Sequence, residues 1–312
     1  MLEPQLSILI PAYNEAAGIR AVVEGVLQCQ PEAEVIVCDD GSSDGTSSEL
    51  IGLPVRIIRH QVNRGYGAAW KTLARRATGR TIIYFDGDGQ FDPADIARIL
   101  AVFSSGDHDM VSAARRSGSG QPLRRRPGKW VLRRFANWFA RTRIPDVNCG
   151  LRAFDRRSFH PYLAILPDGF SCSTTSLLAY LATGRDVAYV DIEVRRRIGS
   201  SSVRILRDGF GTLMLILRLT TLLSPMRVFL PASLLLMTTG IAYSAWEAVA
   251  RGLGVPVLGA TLVINGLLVF LFGLMSDQIS ALRLERLQLR PIESHEDAPA
   301  DNAAEATPRT PI

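Results

Sequence analysis

The chain lacks the signatures of a staple or redox protein. Its four cysteines, Cys29, Cys38, Cys149 and Cys172, form no CxxC pair. That excludes a zinc knuckle or disulfide framework and makes a reducing compartment the simple reading. His60, His108 and His160 have no metal-ligand spacing: His60 is expected to end a strand, the other two to lie at the surface or in turns. No GxxxxGK[ST] phosphate loop occurs, and Gly65 and Gly67 make no dinucleotide fingerprint. The acidic stretches lack the twelve-position pattern of a calcium loop. No internal repeat is evident. The N-terminal "LSILI" is only five residues long and runs straight into "PAYNE", too short for the apolar core of a signal peptide.

What is present divides the chain into a polar front and an apolar rear. Over 312 residues, 47% are hydrophobic and 21% charged, and the net charge of +5 suits contact with anionic lipid or phosphate. Residues 6–10, 35–38, 55–58 and 81–85 are short runs rich in β-branched side chains, separated by segments of helical period. Asn14 is expected to cap the first helix and Gly79 to end the second. Asp92 is placed at the N-cap and Pro93 at the first position of the third. Strands alternating with helices predict an α/β fold with a mostly parallel sheet covered on both faces. Ligands of such sheets gather beyond the C-terminal strand ends, where Asp39, Asp40, Asp86 and Asp88 all fall.

From about residue 228 the composition changes. Val228 to Trp246 is 19 residues without charge, and Gly252 to Ser276 is 25. The shorter stretch makes a helix of roughly 28 Å, about the thickness of a bilayer's hydrocarbon. Two transmembrane helices are expected, at 228–250 and 252–276; the bland alternative is an apolar hairpin buried in an oligomer. Arg204, Arg207, Arg218 and Arg227 precede the pair and Arg283, Arg286 and Arg290 follow it, against Glu247 and Arg251 between them. That bias places the front domain (1–203) and the tail (277–312) in the cytoplasm. Segment 204–227 either lies along the membrane or packs as a soluble helix. From about 293 the tail has no apolar period and is expected to be disordered.

The sharpest local feature is "TIIYFDGDGQFDP" (81–93), a buried strand that opens onto a knot of acids. Asp86 and Asp88, two apart in extended backbone, point the same way and would repel unless a cation lies between them. Mg²⁺ or Mn²⁺ would relieve this and join the pair to substrate phosphates. In "VIVCDDGSSDGT" a turn accounts for the glycines and Asp44, but not for two adjacent acids at a strand end. One of those must face inward, where it can accept bonds from a ribose or a base.

Taken together, "PAYNE" (11–15), "DDGSSDGT" (39–46), "NRGYGAA" (63–69), "DGDGQFDP" (86–93) and "DVNCGLRAF" (146–154) resemble the inverting glycosyltransferases of the nucleotide-sugar-binding GT-A fold. More narrowly the chain is similar to membrane-attached polyprenyl-phosphate glycosyltransferases, a group that includes dolichol-phosphate mannose synthases. The likeness covers residues 6 to about 215, with paired C-terminal helices in support. It implies that Pro11, Tyr13 and Glu15 wall the nucleotide and that Asp39 or Asp40 faces the base. It puts Asp86 near ribose and metal, Asp88 on the metal and Gln90 close by. Asp146 would act as general base or organiser toward a lipid phosphate, with Arg152 in the same catalytic motif. Two departures stand out. Cys172 and Ser173 occupy a region where many relatives have a phenylalanine and a glutamate. "RRRIGSSSVR" (195–204) carries arginines where relatives often have a lysine, so Arg196 or Arg197 is expected to grip the donor diphosphate.

Residues 115–143 hold ten Arg or Lys and no acid. They form either a solvated face with Trp130, Phe135, Trp138 and Phe139 packed inward, or a cationic rim toward anionic headgroups. The second is preferred, with Arg115, Arg124 and Arg133, and Arg204 beyond, set toward the acceptor phosphate. Nucleic acid is not expected as a partner; a homo-oligomer is left open. The rival functions are transfer to another lipid or glycan, and a non-catalytic membrane protein that binds nucleotide sugar.

Overall fold

The computed structural model describes residues 5–106, 108–115, 144–195, 224–252 and 256–289, together with positions 134, 137, 218, 221 and 222. Strands β1 (Leu6–Ala12), β2 (Glu34–Asp39), β3 (Arg56–Arg59) and β4 (Thr81–Tyr84) alternate with helices α1 (Ile19–Cys29) and α2 (Tyr66–Arg76). Helix α3 (Ala94–Phe103) and strands β5 (Met110–Arg115) and β6 (Arg152–Asp155) follow. Helix α4 (Cys172–Ala182) and strand β7 (Val187–Ile192) complete the domain. The seven strands lie in the order β3-β2-β1-β4-β6-β5-β7. Only β6 runs against its neighbours β4 and β5, so the expectation of a mostly parallel sheet holds.

The near-continuous apolar runs are those of strands buried on both faces. Leu9, Ile36, Cys38, Ile82 and Tyr84 point into one core, under α2 and α4. Ile8, Ile10, Val35, Val37, Ile83 and Phe85 point into the other, under α1 and α3. On the first face Trp70 stacks on Tyr84 at 3.7 Å between ring centroids, and Phe154 and Phe159 meet Tyr84 edge-on.

Three expected helix boundaries move. Helix α1 begins at Ile19 without a side-chain cap. Asn14 instead takes a left-handed backbone, φ 54°, and its Oδ1 accepts from Ser43 N, because it is used to join two loops. Helix α2 ends at Arg76, two residues before Thr78. Gly79 is a glycine because its backbone presses on Leu6 and Ser7 of β1, where it donates to Ser7 Oγ. Pro93 is the N-cap of α3 and Asp92 accepts from Ala94 N at 3.1 Å, a one-residue shift of the expected start.

The rear is a hairpin of α5 (Met226–Arg251) and α6 (Val257–Leu289). The second helix starts five residues later than expected and continues through 277–289, which had been assigned to the tail. Only 11% of the first apolar stretch and 17% of the second is buried, the reverse of what a soluble core helix shows. The chain is an integral membrane protein with a polar catalytic-type domain ahead of the hairpin. The two helices approach closely at glycines: a Cβ on Gly240 would lie 2.9 Å from Gly259 O, and one on Gly273 2.6 Å from Phe229 Cβ. Small residues at the contact are how helices associate in lipid, where no hydrophobic drive separates them from acyl chains. The hairpin is tied forward by Ser280 Oγ, which donates to Leu222 O at 2.7 Å. Leu222 packs in turn on the α2/α4 core.

Helix α2 docks on the loop before α4: Gly67 N donates to Asp168 O at 2.7 Å, and a Cβ on Gly67 would overlap Pro167 O. Gly67→Ala is therefore expected to cost about 1–3 kcal/mol, read as a lowered melting temperature in detergent. An unchanged melting temperature counts against this docking.

Candidate active site

The first wall of the site is built from two loops sewn together. Ser42, Asp44 and Thr46 are spaced by two, and all three receive backbone N–H groups from the "YNEA" turn. Asn14 N donates to Ser42 Oγ at 2.9 Å, Glu15 N to Thr46 Oγ1 at 3.0 Å and Ala16 N to Asp44 Oδ2 at 3.0 Å. Burial works to raise the Asp44 carboxyl, but the bonds from Thr46 and Ala16 prevail and hold it below the usual carboxylate range. The seam holds Pro11 buried at the end of β1, Glu15 buried, and Tyr13 43% exposed at the rim.

The paired acids of β2 are both buried and heavily used. Asp39 accepts from Ser42 N at 2.8 Å and from Ser47 Oγ, and faces Arg59 Nε at 3.5 Å. Asp40 is bonded to His60 Nδ1 at 2.6 Å, Arg64 N at 2.9 Å and Gly65 N at 2.8 Å. In this conformation Asp40 latches the 64–65 turn. His60, expected simply to end a strand, is the buried partner that makes this latch, with Thr72 Oγ1 2.9 Å from its Nε2.

That turn delivers Tyr66, whose hydroxyl donates to Asp86 Oδ1 at 2.6 Å. Burial, then the Asp86 charge, pushes the phenol well above its ordinary value, so Tyr66 stays protonated as a donor. Gly150 closes over the pair: a Cβ there would overlap both Asp86 Oδ2 and Tyr66 Oη. The glycine of "DVNCGLRAF" is thus required by the first acid of "DGDGQ", and the two motifs are two sides of one contact. Asp88, partly buried, accepts from Gln90 N at 3.1 Å. Gln90 O in turn receives Arg195 N at 2.9 Å.

On the far side, at the end of β5, Asp146 and Arg115 form a bidentate pair. Nε donates to Oδ2 at 2.6 Å and Nη2 to Oδ1 at 3.0 Å, with Asn148 N on Oδ1 at 3.0 Å. Burial would raise the Asp146 carboxyl, yet the Arg115 bond and charge outweigh it and hold the group below its ordinary value. Arg115, assigned by sequence to the acceptor phosphate, here serves Asp146 while feeling the charge of Asp86.

Arg152 is wholly buried on β6. It donates to Ser173 O, to Ser176 Oγ at 2.9 Å and to Val147 O at 2.9 Å, which fixes the 146–150 loop against α4. In this geometry Arg152 braces the motif that carries Asp146. Ser173, flagged as a departure, supplies the carbonyl that Arg152 needs. Arg124, Arg133, Arg196, Arg197 and Arg204, and the aromatic residues of 130–139, lie outside the described residues. Among the described residues all four cysteines are free thiols, and burial pushes Cys38, Cys149 and Cys172 up to about 12.

A sheet of this order with acids at its strand ends defines the nucleotide-sugar transferase class, and comparison with known proteins agrees. The model of glycosyl transferase family 2 matches residues 7–163, and that of the GtrB C-terminal hairpin residues 224–282. The chain belongs to glycosyl transferase family 2, and it is an enzyme of that class. It is 27% identical to the glycosyltransferase AglJ of Haloferax volcanii over 93% of this chain and 97% of that one. It is 28% identical to the dodecaprenyl-phosphate galacturonate synthase of Rhizobium johnstonii, over 48% of this chain and 47% of that one. The chain spans about half the length of other curated relatives too. The fold is also that of glucosyl-3-phosphoglycerate synthase from Mycobacterium tuberculosis, solved with Mn²⁺, uridine diphosphate and phosphoglyceric acid. The TM-score is 0.56 and the identity 19%, over 70% of this chain and 78% of that one.

Asp146 makes the stability of the domain depend on pH. Its carboxyl lies lower folded than unfolded, where it is near about 3.9. The stabilisation is therefore complete above pH about 4 and is lost as pH falls through the folded value. Asp146→Asn should destabilise by about 3 kcal/mol, because Arg115 is left buried without its partner. Thermal melts between about pH 2 and 7 should lose this slope in the variant. Melts that superimpose on wild type would show the pair to be dispensable.

Proposed function

We propose that this chain transfers a hexose from a UDP- or GDP-sugar to a polyprenyl phosphate at the cytoplasmic face of the membrane, inverting the anomeric centre. The observation that carries the reading is the tie between site and membrane: Asp86 and Asp88 open on the same domain that Ser280 holds to the hairpin. The activities for which the polyprenyl-phosphate relatives are named are in keeping with it.

A divalent cation fits the residues present. Asp86 and Asp88 offer hard carboxylate oxygen, with Gln90 beside them. Among the described residues no group of three His, Cys, Asp or Glu forms a closed cage. That is the donor set of Mg²⁺ or Mn²⁺, which take one or two carboxylates and complete their shell with phosphate oxygens and water. When bound, the ion would neutralise charge on the departing diphosphate. Pro11, Tyr13, Glu15 and Asp39 form the donor wall, and Arg196 or Arg197 grips the diphosphate. Arg124, Arg133 and Arg204 meet the acceptor and the headgroups of membrane lipids.

The reacting phosphate monoester is already anionic near neutral pH. Its oxygen forms the bond to the anomeric carbon as the bond from that carbon to the diphosphate oxygen breaks, so no enzyme nucleophile is needed. Asp146, held below its ordinary pKa by Arg115 after opposing its burial, is a poor base. Its part is to orient the Arg115 guanidinium toward the incoming phosphate. Tyr66 holds Asp86 in place through a charged hydrogen bond, the stronger kind.

The test is a panel of UDP-glucose, UDP-galactose and GDP-mannose against a short-chain polyprenyl phosphate, with and without EDTA, reading lipid product by mass. Metal-dependent product is expected, with Asp88→Asn lowering turnover about 10²–10³-fold at unchanged melting temperature. Near-normal turnover in that variant overturns the metal assignment. Sugar transfer to a glycan or to diacylglycerol, and none to prenyl phosphate, overturns the acceptor. Tyr66→Phe should lower kcat/KM about 10-fold or more, as loss of a charged hydrogen bond does, and an unaltered value would remove Tyr66 from the site.

A further inference from the structure

Phe170 is 74% exposed, although it stands on a loop fixed against helix α2. Its ring stacks on Tyr66, with centroids 5.6 Å apart and planes at 17°, directly behind the hydroxyl that holds Asp86. The loop is not free to bury it. Asp168 O accepts from Gly67 N at 2.7 Å and Ala68 N at 3.1 Å. Lys71 pairs with the Asp168 carboxylate and donates to Leu166 O at 3.2 Å. An aromatic ring held rigidly in water forgoes the gain of burial that such a ring ordinarily brings. Held this way, it suits an apolar ligand that arrives from solvent or membrane.

The surroundings select the ligand. Lys71, and more weakly Arg218 in the segment that leads to the hairpin, hold the Asp168 carboxyl below its ordinary value. Leu222 packs on the core that contains Leu166 and Cys172, and its carbonyl receives Ser280 of the membrane hairpin. The donor wall of Pro11, Tyr13 and Asp39 belongs instead to the ends of β1 and β2. An exposed ring stacked on the tyrosine that holds Asp86 suits a molecule with an anionic head and an unsaturated, methyl-branched tail.

We propose that Phe170, backed by Tyr66, is the subsite for the phosphate-proximal isoprene units of the acceptor. This rests on the acceptor reading above and assigns the residue that selects its chain. The ring supplies a flat apolar face for the first isoprene units, so that the phosphate they carry is presented toward Arg115 and the anomeric carbon.

The experiment uses full-length protein in detergent, with farnesyl phosphate and undecaprenyl phosphate as acceptors and the best donor of the panel. Phe170→Ala is expected to raise the apparent KM for both acceptors at least five-fold, with the donor KM within two-fold of wild type. Phe170→Leu should recover most of the loss and Phe170→Ser none of it. An equal rise in donor KM would place the ring on the sugar nucleotide and overturn the proposal. So would a defect confined to protein in vesicles, since the ring would then be a bilayer anchor. Wild type that transfers to no prenyl phosphate overturns the acceptor reading and this inference together. Wild type that transfers, with unchanged acceptor KM in Phe170→Ala, overturns this inference alone. Melting curves of the three variants separate any folding defect from the kinetic effect.

Discussion

Four carboxylates gathered at one end of a parallel sheet repel one another, and the rest of the site is arranged to offset that repulsion with fixed donors. Asp39 and Asp40 are neutralised by backbone N–H groups of Ser42, Arg64 and Gly65, by Ser47 and by His60. Asp86 is held by Tyr66, and Asp88 by the amide of Gln90. Each acid therefore dictates the course of a loop, and the loops together are the site. The glycines that look like turn residues in the sequence are where backbone must pass close to these acids or their donors. Gly150 against Asp86 is the clearest case.

A second layer of order lies behind the acids. Asp146 would be a costly charge where it sits without Arg115, and Arg115 would be equally costly without Asp146. Arg152 has no carboxylate among its described hydrogen bonds: its two terminal nitrogens donate to carbonyl and hydroxyl oxygen of Val147, Ser173 and Ser176, and its buried Nε has no partner among the described residues. The 146–152 motif thus meets one guanidinium, Arg115 of β5, at its acid and carries another, Arg152, in its buried backing. Their identical charge in the sequence gives no hint of the difference.

The sheet and its two spanning helices were legible in the sequence because both depend on local pattern: β-branched runs too short for helices, and uncharged stretches too long for a soluble core. The acids were legible for the same reason, since each follows a strand. Partners distant in the chain were not legible. Nothing near Asp40 announces His60, and nothing near Asp86 announces Gly150. Helix ends failed where tertiary contacts outbid local propensity: Asn14 bonds another loop, and Gly79 is small for the sake of β1. The length of α6 was not legible because Asp277 closes the uncharged run without ending the helix, which continues to Leu289.

The contact between Ser280 and Leu222 sets the height of the domain above the hairpin. Ser280 stands 23 residues into α6, about 35 Å along the helix axis, close to where acyl chains give way to headgroups. A hydrogen bond at that height ties the catalytic domain to the membrane at a set elevation. With the lipid acceptor proposed above, reaction would become a search within a plane, with the reactive centre at one depth. Thicker or thinner bilayers would raise or sink that centre relative to the headgroups through hydrophobic mismatch, so membrane thickness itself becomes a determinant of turnover.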